Sequence, residues 1–351
     1  VLRQIARLTR NVPAAGERSL AIAVYADAVN VTVGAREAGD EGVACVDDAA
    51  RALEVYCDIW DATGLPWALR WCEGLLDFIL YMQEPDGRWV NFILDWSGTP
   101  NRAGRTSVAG GDFWQSRALL ALARAARTLG DERIDNALRI GLPHILAATD
   151  VPSDVRALHA LTALTLMTDA ADDQWGDLLG TWCDQMTNCR NGDVLMNAAA
   201  ERGRPHLWGH IQEGVIADAG RRLGRDDLIT AARNSADALF PEVISRCFDL
   251  PRTQPYDVAS AAYCLTRLGE VTGRADYLAL AAEARAWFDG RNPSTRPVYD
   301  REAGRVNDGL DGARLNAHSG AESNIVAAQA LLGDAIALAL TLPLELAVPR
   351  G

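Results

Sequence analysis

The sequence predicts an all-α protein, an (α/α)6 toroid of six helical hairpins with long loops at one end. Three observations carry this. Apolar residues recur with helical period along most of the chain, and strand-like alternation is nearly absent. The links between helical segments alternate between short and long. Short polar residues crowd the start of every second helix.

The period marks twelve segments, roughly 1–10, 47–63, 66–83, 113–129, 132–148, 154–168, 172–188, 209–223, 226–239, 256–272, 275–289 and 319–340. Ala, Leu and Arg fill them, all good helix formers. Even-numbered segments are followed by short links such as Gly64-Leu65, Gly130-Asp131, Gly224-Arg225 and Gly273-Arg274. A glycine there suits the left-handed turn that ends a helix. Even-numbered segments are preceded by long links: Asn11–Val46, Glu84–Asp112, Cys189–Trp208, Phe240–Pro255 and Gly290–His318. Thr149–Ser153 is the short exception. Short links make antiparallel hairpins; long ones cross to the next hairpin or carry function.

Five hairpins follow in order, and the last helix with the first makes a sixth by closing the ring. The even helices then line the inside, with their N-termini at one end. An open solenoid would carry a repeat of fixed period, and none is visible. Ser19–Val33 and Arg88–Leu94 are expected to pair as small strands within the loops. Residues 1–342 read as one domain and 343–351 as a C-terminal tail, because Pro343 and Glu345 interrupt the apolar run at 336–348.

With 351 residues, 49% of them hydrophobic, the chain can bury a sizeable core. A net charge of −13 without a basic run argues against nucleic acid and anionic membrane surfaces. No apolar run reaches the roughly eighteen residues of a membrane span. Seven cysteines, an odd count without CxxC spacing, fit reduced thiols and a cytoplasmic setting, and no signal peptide is in view after Val1. All 34 basic residues are arginine, which excludes lysine Schiff-base and pyridoxal chemistry. GxxxxGK[ST], a credible GxGxxG, HExxH, Cys/His clusters and EF-hand loops are absent, so neither cofactor nor metal is expected.

Two runs carry a resemblance. Trp287-Phe288-x-Gly290-x-Asn292, Pro297-x-Tyr299-Asp300, Gly304, Asp308-Gly309-Leu310, Asn316 and Gly320-Ala-Glu322-Ser323 form the C-terminal one. Asp47-Asp48-x-x-Arg51-Ala-Leu53 is the other. Both resemble the glycosidase-like α/α toroid found alone or fused to bacterial glycosyltransferases, with Ala49 where that family has Asn. The resemblance implies a carbohydrate substrate and a possible glycosyltransferase partner. Residue roles rest on chemistry instead.

Glycoside cleavage needs two carboxyls, one holding a proton and one ionised. Asp47-Asp48 is the strongest pair and opens an inner helix. Its structural reading is an N-cap plus favourable charge at the positive helix end. Glu322 is the leading acid, set against a Ser319-x-x-Glu322 capping box; Glu213 is the reserve acid. Asp112 with Gln115 has the same cap form. Trp114 and Trp208 are candidate sugar platforms, as are Trp89 and Trp96 beside long loops. Trp60, Trp71, Trp175, Trp182 and Trp287 fall within helices and read as core. His210, Gln212, Tyr256, Asp257, Asp308, Asn316 and His318 complete the polar set expected to share one cleft.

The expectation is an inverting glycoside hydrolase, with Asp47 or Asp48 as the base and Glu322 as the acid. The alternative is a non-catalytic glycan-binding or glycosyltransferase-associated toroid. A lyase or epimerase fits the same scaffold. A terpene-cyclase reading wants DDxxD, and here the last position is Arg51.

Overall fold

The computed structural model describes residues 1–29, 31–32, 41–167 and 173–342; the tail expected at 343–351 lies outside them. In chain order the helices are α1 (Leu2–Leu8), α2 (Val46–Thr63), α3 (Pro66–Tyr81), α4 (Asp112–Ala126), α5 (Glu132–Ala147), α6 (Ser153–Leu166) and α7 (Asp173–Asn188). They continue as α8 (Gln212–Leu223), α9 (Asp226–Ser245), α10 (Pro255–Thr272), α11 (Ala275–Arg285), α12 (Ala321–Ala330) and α13 (Leu332–Ala339). The expected segments are all present within a few residues. Three differ in form. The last is two helices, broken at Leu331, where ψ turns to 38°. The eleventh ends in a 3-10 turn at Ala286–Asp289. The ninth runs through Pro241 to Ser245, because Leu239, Phe240, Val243 and Ile244 keep an apolar stripe going past the proline.

Contacts divide the chain into two compact units. The first comprises Val1–Thr149, Tyr299–Asp308 and Ala317–Gly351. In it α2 packs on α3, α4 and α12, α5 lies on α4, and α1 lies on α12, the pairing of first and last helices that the pattern requires. Strand β1 (Thr9–Asn11) pairs antiparallel with β2 (Leu20–Ile22), and β3 (Ala44–Cys45) with β4 (Phe92–Ile93). The small strands expected within both loops are therefore present.

The second unit comprises Asp150–Val298 and Gly309–Asn316. Its helices pack as α6 on α7, α8 on α9 and α10 on α11, with α8 touching α6 and α10. Here β5 (Arg190–Asn191) pairs with β6 (Val194–Leu195). In the first unit β8 (Tyr299–Asp300) pairs with β9 (Arg305–Val306). In the second, β10 (Leu310–Asp311) lies between β7 (Arg252–Thr253) and β11 (Arg314–Leu315).

In the first unit α2 and α3 are buried alike, eleven of 18 residues and ten of 16, while in the second the hairpin of α10 and α11 is strongly unequal. Helix α10 buries twelve of its 18 residues, its partner α11 only three of 11. Among the described residues no helix is long and apolar enough to cross a membrane.

Gly64, Gly224 and Gly273 end α2, α8 and α10 in the left-handed region, at φ 64°, 66° and 69°. Gly130 does not: α4 stops at Ala126, so that glycine lies beyond the cap. Gly64→Ala should therefore cost about 1 kcal/mol in a denaturant titration. Gly130→Ala, with open space around it, should be neutral or slightly stabilising. Equal losses at both sites would contradict this cap assignment.

Candidate functional site

The start of α2 is built from three segments. Antiparallel pairing of β3 with β4 lays Asn91 against it. Val46 N–H donates to Asn91 O at 2.8 Å, and Asp47 N–H to the Asn91 side-chain oxygen at 3.1 Å. Cys45, not Asp47, is the N-cap; its sulfur accepts from Asp48 N–H at 3.4 Å. The structural reading of Asp47 as the N-cap therefore does not hold: with Asn91 and Cys45 meeting N–H groups of the first turn, both aspartates are left for other partners.

Those partners are arginines. Arg51 follows Asp48 by three residues and Asp47 by four, the spacing that brings helical side chains together. Its Nη2 lies 2.8 Å from Asp48 Oδ1 and 3.8 Å from Asp47 Oδ2. Its Nη1 donates across to Glu322 Oε1 at 2.9 Å, tying α2 to α12. Arg117 of α4 donates to Asp47 Oδ2. Asp48 Oδ2 also accepts from the Cys45 thiol at 3.4 Å. The two carboxylates of the leading acid–base pair are thus held by one guanidinium.

Exposure separates the group. Arg51 and Asp48 are sealed at 5% and 3% side-chain exposure, and Arg117 at 2%. Asp47 is partly buried at 17%, its Oδ1 out of reach of solvent, and Glu322 is the more open at 32%. Burial pushes the Asp48 carboxyl up to about 6, helped by the charges of Glu322 and Asp47 and opposed by Arg51. For Asp47 burial again pushes up, but Arg117 and Arg51 together outweigh it and hold the carboxyl below its ordinary value. The adjacent aspartates therefore differ: Asp47 is the partly buried carboxylate held ionised by two arginines, Asp48 a sealed anchor for Arg51.

Glu322 makes no capping box. The N-cap of α12 is Gly320, with no side-chain cap bond, and the Ser319 hydroxyl donates to Val306 O instead. Asp308 accepts from Gly320 N–H at 2.8 Å, which seats the start of α12. Burial raises the Asp308 carboxyl, against hydrogen bonds from Ser323 and Gly320. Only glycine fits at 320, where a Cβ would stand 2.6 Å from Val24 O. His318 is exposed in the same loop.

Other expected site residues of this unit take structural roles. Gln115 is buried; its carbonyl accepts from Trp89 N–H and its amide donates to Gly87 O at 3.3 Å, so it pins a loop. The cap reading of Asp112 fails too, because α4 begins with Asp112 itself after Gly111. Trp114 stays half-buried, donating to Trp89 O at 2.9 Å. Trp89 is fully buried with its N–H on Ile79 O, which removes it as a platform; Trp96 remains half-buried.

In the second unit Glu213 and His210 are fully buried. His210 Nε2 lies 3.0 Å from Glu213 Oε1, and its Nδ1 lies 2.7 Å from the Asn197 side-chain oxygen. Ser235 donates to Glu213 Oε1 at 2.6 Å, and Gln212 to Asn197 Oδ1 at 2.8 Å. For Glu213, burial is outweighed by His210 and Ser235, which hold its carboxyl low. Glu213, the expected reserve acid, is thus sealed and committed to His210 and Ser235, and His210 and Gln212, expected to bind hydroxyls, are buried against Asn197.

Asp257 forms the capping box expected elsewhere, with Gln254: its Oδ2 accepts from Gln254 N–H at 2.7 Å. Trp208 is half-buried, edge-on to the nearly buried Tyr256 at 5.2 Å. Asn316 N–H closes a turn on Gly309 O. The second unit also holds Arg156, which packs over Trp182 and reaches His159 Nδ1 at 3.2 Å. Burial, with Arg156, takes His159 down to about 3.

Arginine was the missed class. Arg51, Arg117 and Arg156 are each at most 4% exposed. A signal existed: Arg-Ala-Leu recurs at 51–53, 117–119 and 156–158, near the start of α2, α4 and α6. A guanidinium inside an apolar helical stripe must find a carboxylate or other acceptor when buried.

No family model and no curated protein matches the chain. Solved structures do. A cellobiose 2-epimerase from Bacillus thermoamylovorans is similar with a TM-score of 0.70 at 11% identity, over 95% of this chain and 96% of that one. A sugar epimerase from a ruminal bacterium gives 0.66 at 12% identity, over 97% and 96%. An α-mannanase of glycosyl hydrolase family 76 from Bacteroides thetaiotaomicron gives 0.58 at 11% identity, over 86% and 89%. The fold is an all-α (α/α)6 toroid. At such low identity the likeness concerns architecture, as the connection pattern predicts.

Two tests follow. Arg51→Leu strands buried Asp48 without its cation and should cost about 3 kcal/mol, whereas Glu322→Gln, at the exposed limb, should cost about 1 kcal/mol or less. Equal costs in thermal melts would contradict the division into buried anchor and accessible limb. The second test concerns Glu54, one turn below Arg51 on α2. Burial, with Asp58, raises its carboxyl from 4.5 to about 8. The stability its protonated form supports is full below pH 4.5 and lost as pH rises through about 8. Melting temperature should therefore decline from pH 6 towards pH 9, and Glu54→Gln should flatten that decline. Asp47 works oppositely, its share of stability disappearing as pH falls below its ordinary range. An unchanged slope in the Glu54 variant would reject the assignment.

Proposed function

We propose that this chain is a carbohydrate-active enzyme that hydrolyses a glycosidic bond with inversion at the anomeric carbon. The observation that carries the reading is the pair of carboxylates Asp47 and Glu322, 17% and 32% exposed, at the starts of two helices over sealed guanidinium groups. Asp47 serves as base: Arg117 and Arg51 keep it ionised despite burial. It takes a proton from a water molecule whose oxygen attacks the anomeric carbon. Glu322, parted from Arg51 and carrying a proton, gives it to the departing glycosidic oxygen as that bond breaks. Asp48 keeps Arg51 in place through the exchange. Similarity to an α-mannanase supports the substrate class.

A second reading is an epimerase acting on a free sugar. Its support is the nearly full-length likeness to two sugar epimerases, over 95% and 97% of this chain. The readings differ in product. Hydrolysis creates a new reducing end, while C2 epimerisation leaves every glycosidic bond intact and introduces solvent deuterium at C2.

Proton NMR of neutral oligosaccharides incubated in D2O is the deciding measurement. The expected first product has inverted anomeric configuration, and Asp47→Asn and Glu322→Gln each lower turnover by about 100-fold or more. Inversion needs about 6.5–9.5 Å between the two carboxyl groups, to admit water. A retained anomer would reject inversion. Deuterium at C2 without cleavage would replace hydrolysis by epimerisation.

A further inference from the structure

We infer that the sugar taken by the Asp47–Glu322 cluster is uncharged and donates hydroxyl groups, not a uronic acid or a phosphorylated sugar. This rests on the carbohydrate reading above and specifies its substrate class.

The charges that a ligand can touch are negative. Both guanidinium groups of the cluster lie beneath the carboxylates, 5% and 2% exposed. Arg51 is already shared by Asp48 and Glu322, with Asp47 at 3.8 Å, and Arg117 is taken by Asp47. Three carboxylates against two arginines leave the group one negative charge in excess when all are ionised. An arriving carboxylate or phosphate would meet the negative side of each ion pair and could reach neither cation without displacing an acid.

Hydrogen-bond capacity points the same way. An ionised carboxylate only accepts. Asp47 Oδ1 has no hydrogen-bond partner, although Oδ2 of the same group faces Arg117. Glu322 is the most exposed acid of the cluster. While ion-paired with Arg51, Glu322 only accepts, so a group that meets it must donate; sugar hydroxyls do so while bringing no charge, and Asp47 adds a buried acceptor without a partner. His318, the exposed basic side chain of the α12 loop, is set against Asp308. The net charge of −13 works against anionic polymers at longer range as well.

The test is calorimetric titration of the full chain with tetrasaccharides in matched pairs. Gluco- and manno-oligosaccharides are compared with glucuronate and mannuronate oligomers of the same linkage and length, at low salt. The neutral member should bind at least about tenfold more tightly. Asp47→Asn should weaken neutral binding and narrow that gap. Equal or reversed preference would overturn the inference, as would failure of the neutral oligosaccharides to bind. Product analysis of the same samples separates this from the hydrolytic reading. Neutral sugars bound but not cut would preserve the charge inference and remove hydrolysis. Uronate oligomers cut would preserve hydrolysis and overturn the inference.

Discussion

The Arg51 guanidinium is the interaction on which the described site depends. One planar group serves Asp48 on its own helix and Glu322 on α12, at 2.8 and 2.9 Å. Nothing in local helix chemistry demands the second contact; it exists because α2 and α12 pack side by side. A buried arginine needs acceptors arranged around its fork of donors, and the fork fixes the acceptors' positions in return. The geometry of the cluster is thereby coupled to helix packing.

That coupling has an energetic cost. Taking several charges out of water is expensive, and mutual attraction repays it only when geometry is good. The cluster meets this condition unevenly. Asp48 is held high by burial even beside Arg51, while Asp47 is held low by two arginines. Adjacent residues in one helical turn thus acquire different protonation behaviour from their surroundings alone. Separation of this kind is how one site holds groups suited to different proton-transfer roles.

The second unit uses similar residue types to another end. Its His210–Glu213 pair is closed on every side by Asn197, Ser235 and the Cys264 thiol. A buried polar network of this kind orients helices and loops. Here Ser235 accepts from Leu195 N–H as well, so the network ties α8 and α9 to strand β6. Carboxylates at helix starts are thus no single category. Glu322 is a third exposed and Glu213 is sealed, although each is the second residue of its helix.

Much of the fold was legible in the sequence because helical periodicity and the alternation of link lengths are local properties. The hairpins, the left-handed caps at Gly64, Gly224 and Gly273, and the small strands in the loops all follow from neighbouring residues. The pairing of first and last helices followed from counting hairpins. Asp47, Asp48 and Glu322 were legible as acids at helix starts, but their partners were not. Capping patterns misled at Ser319 and Asp112 and were overlooked at Gln254, because a cap depends on which N–H groups other segments have already satisfied. Asn91, 44 residues from Asp47, satisfies one of them. Burial decided the rest: it sealed Glu213, left Glu322 accessible and placed Arg51 and Arg117 under the acids. Sequence determines which groups a helix presents on each face. Only tertiary packing decides which of them meet water and which meet one another, because solvent access and long-range ion pairs depend on segments far apart in the chain.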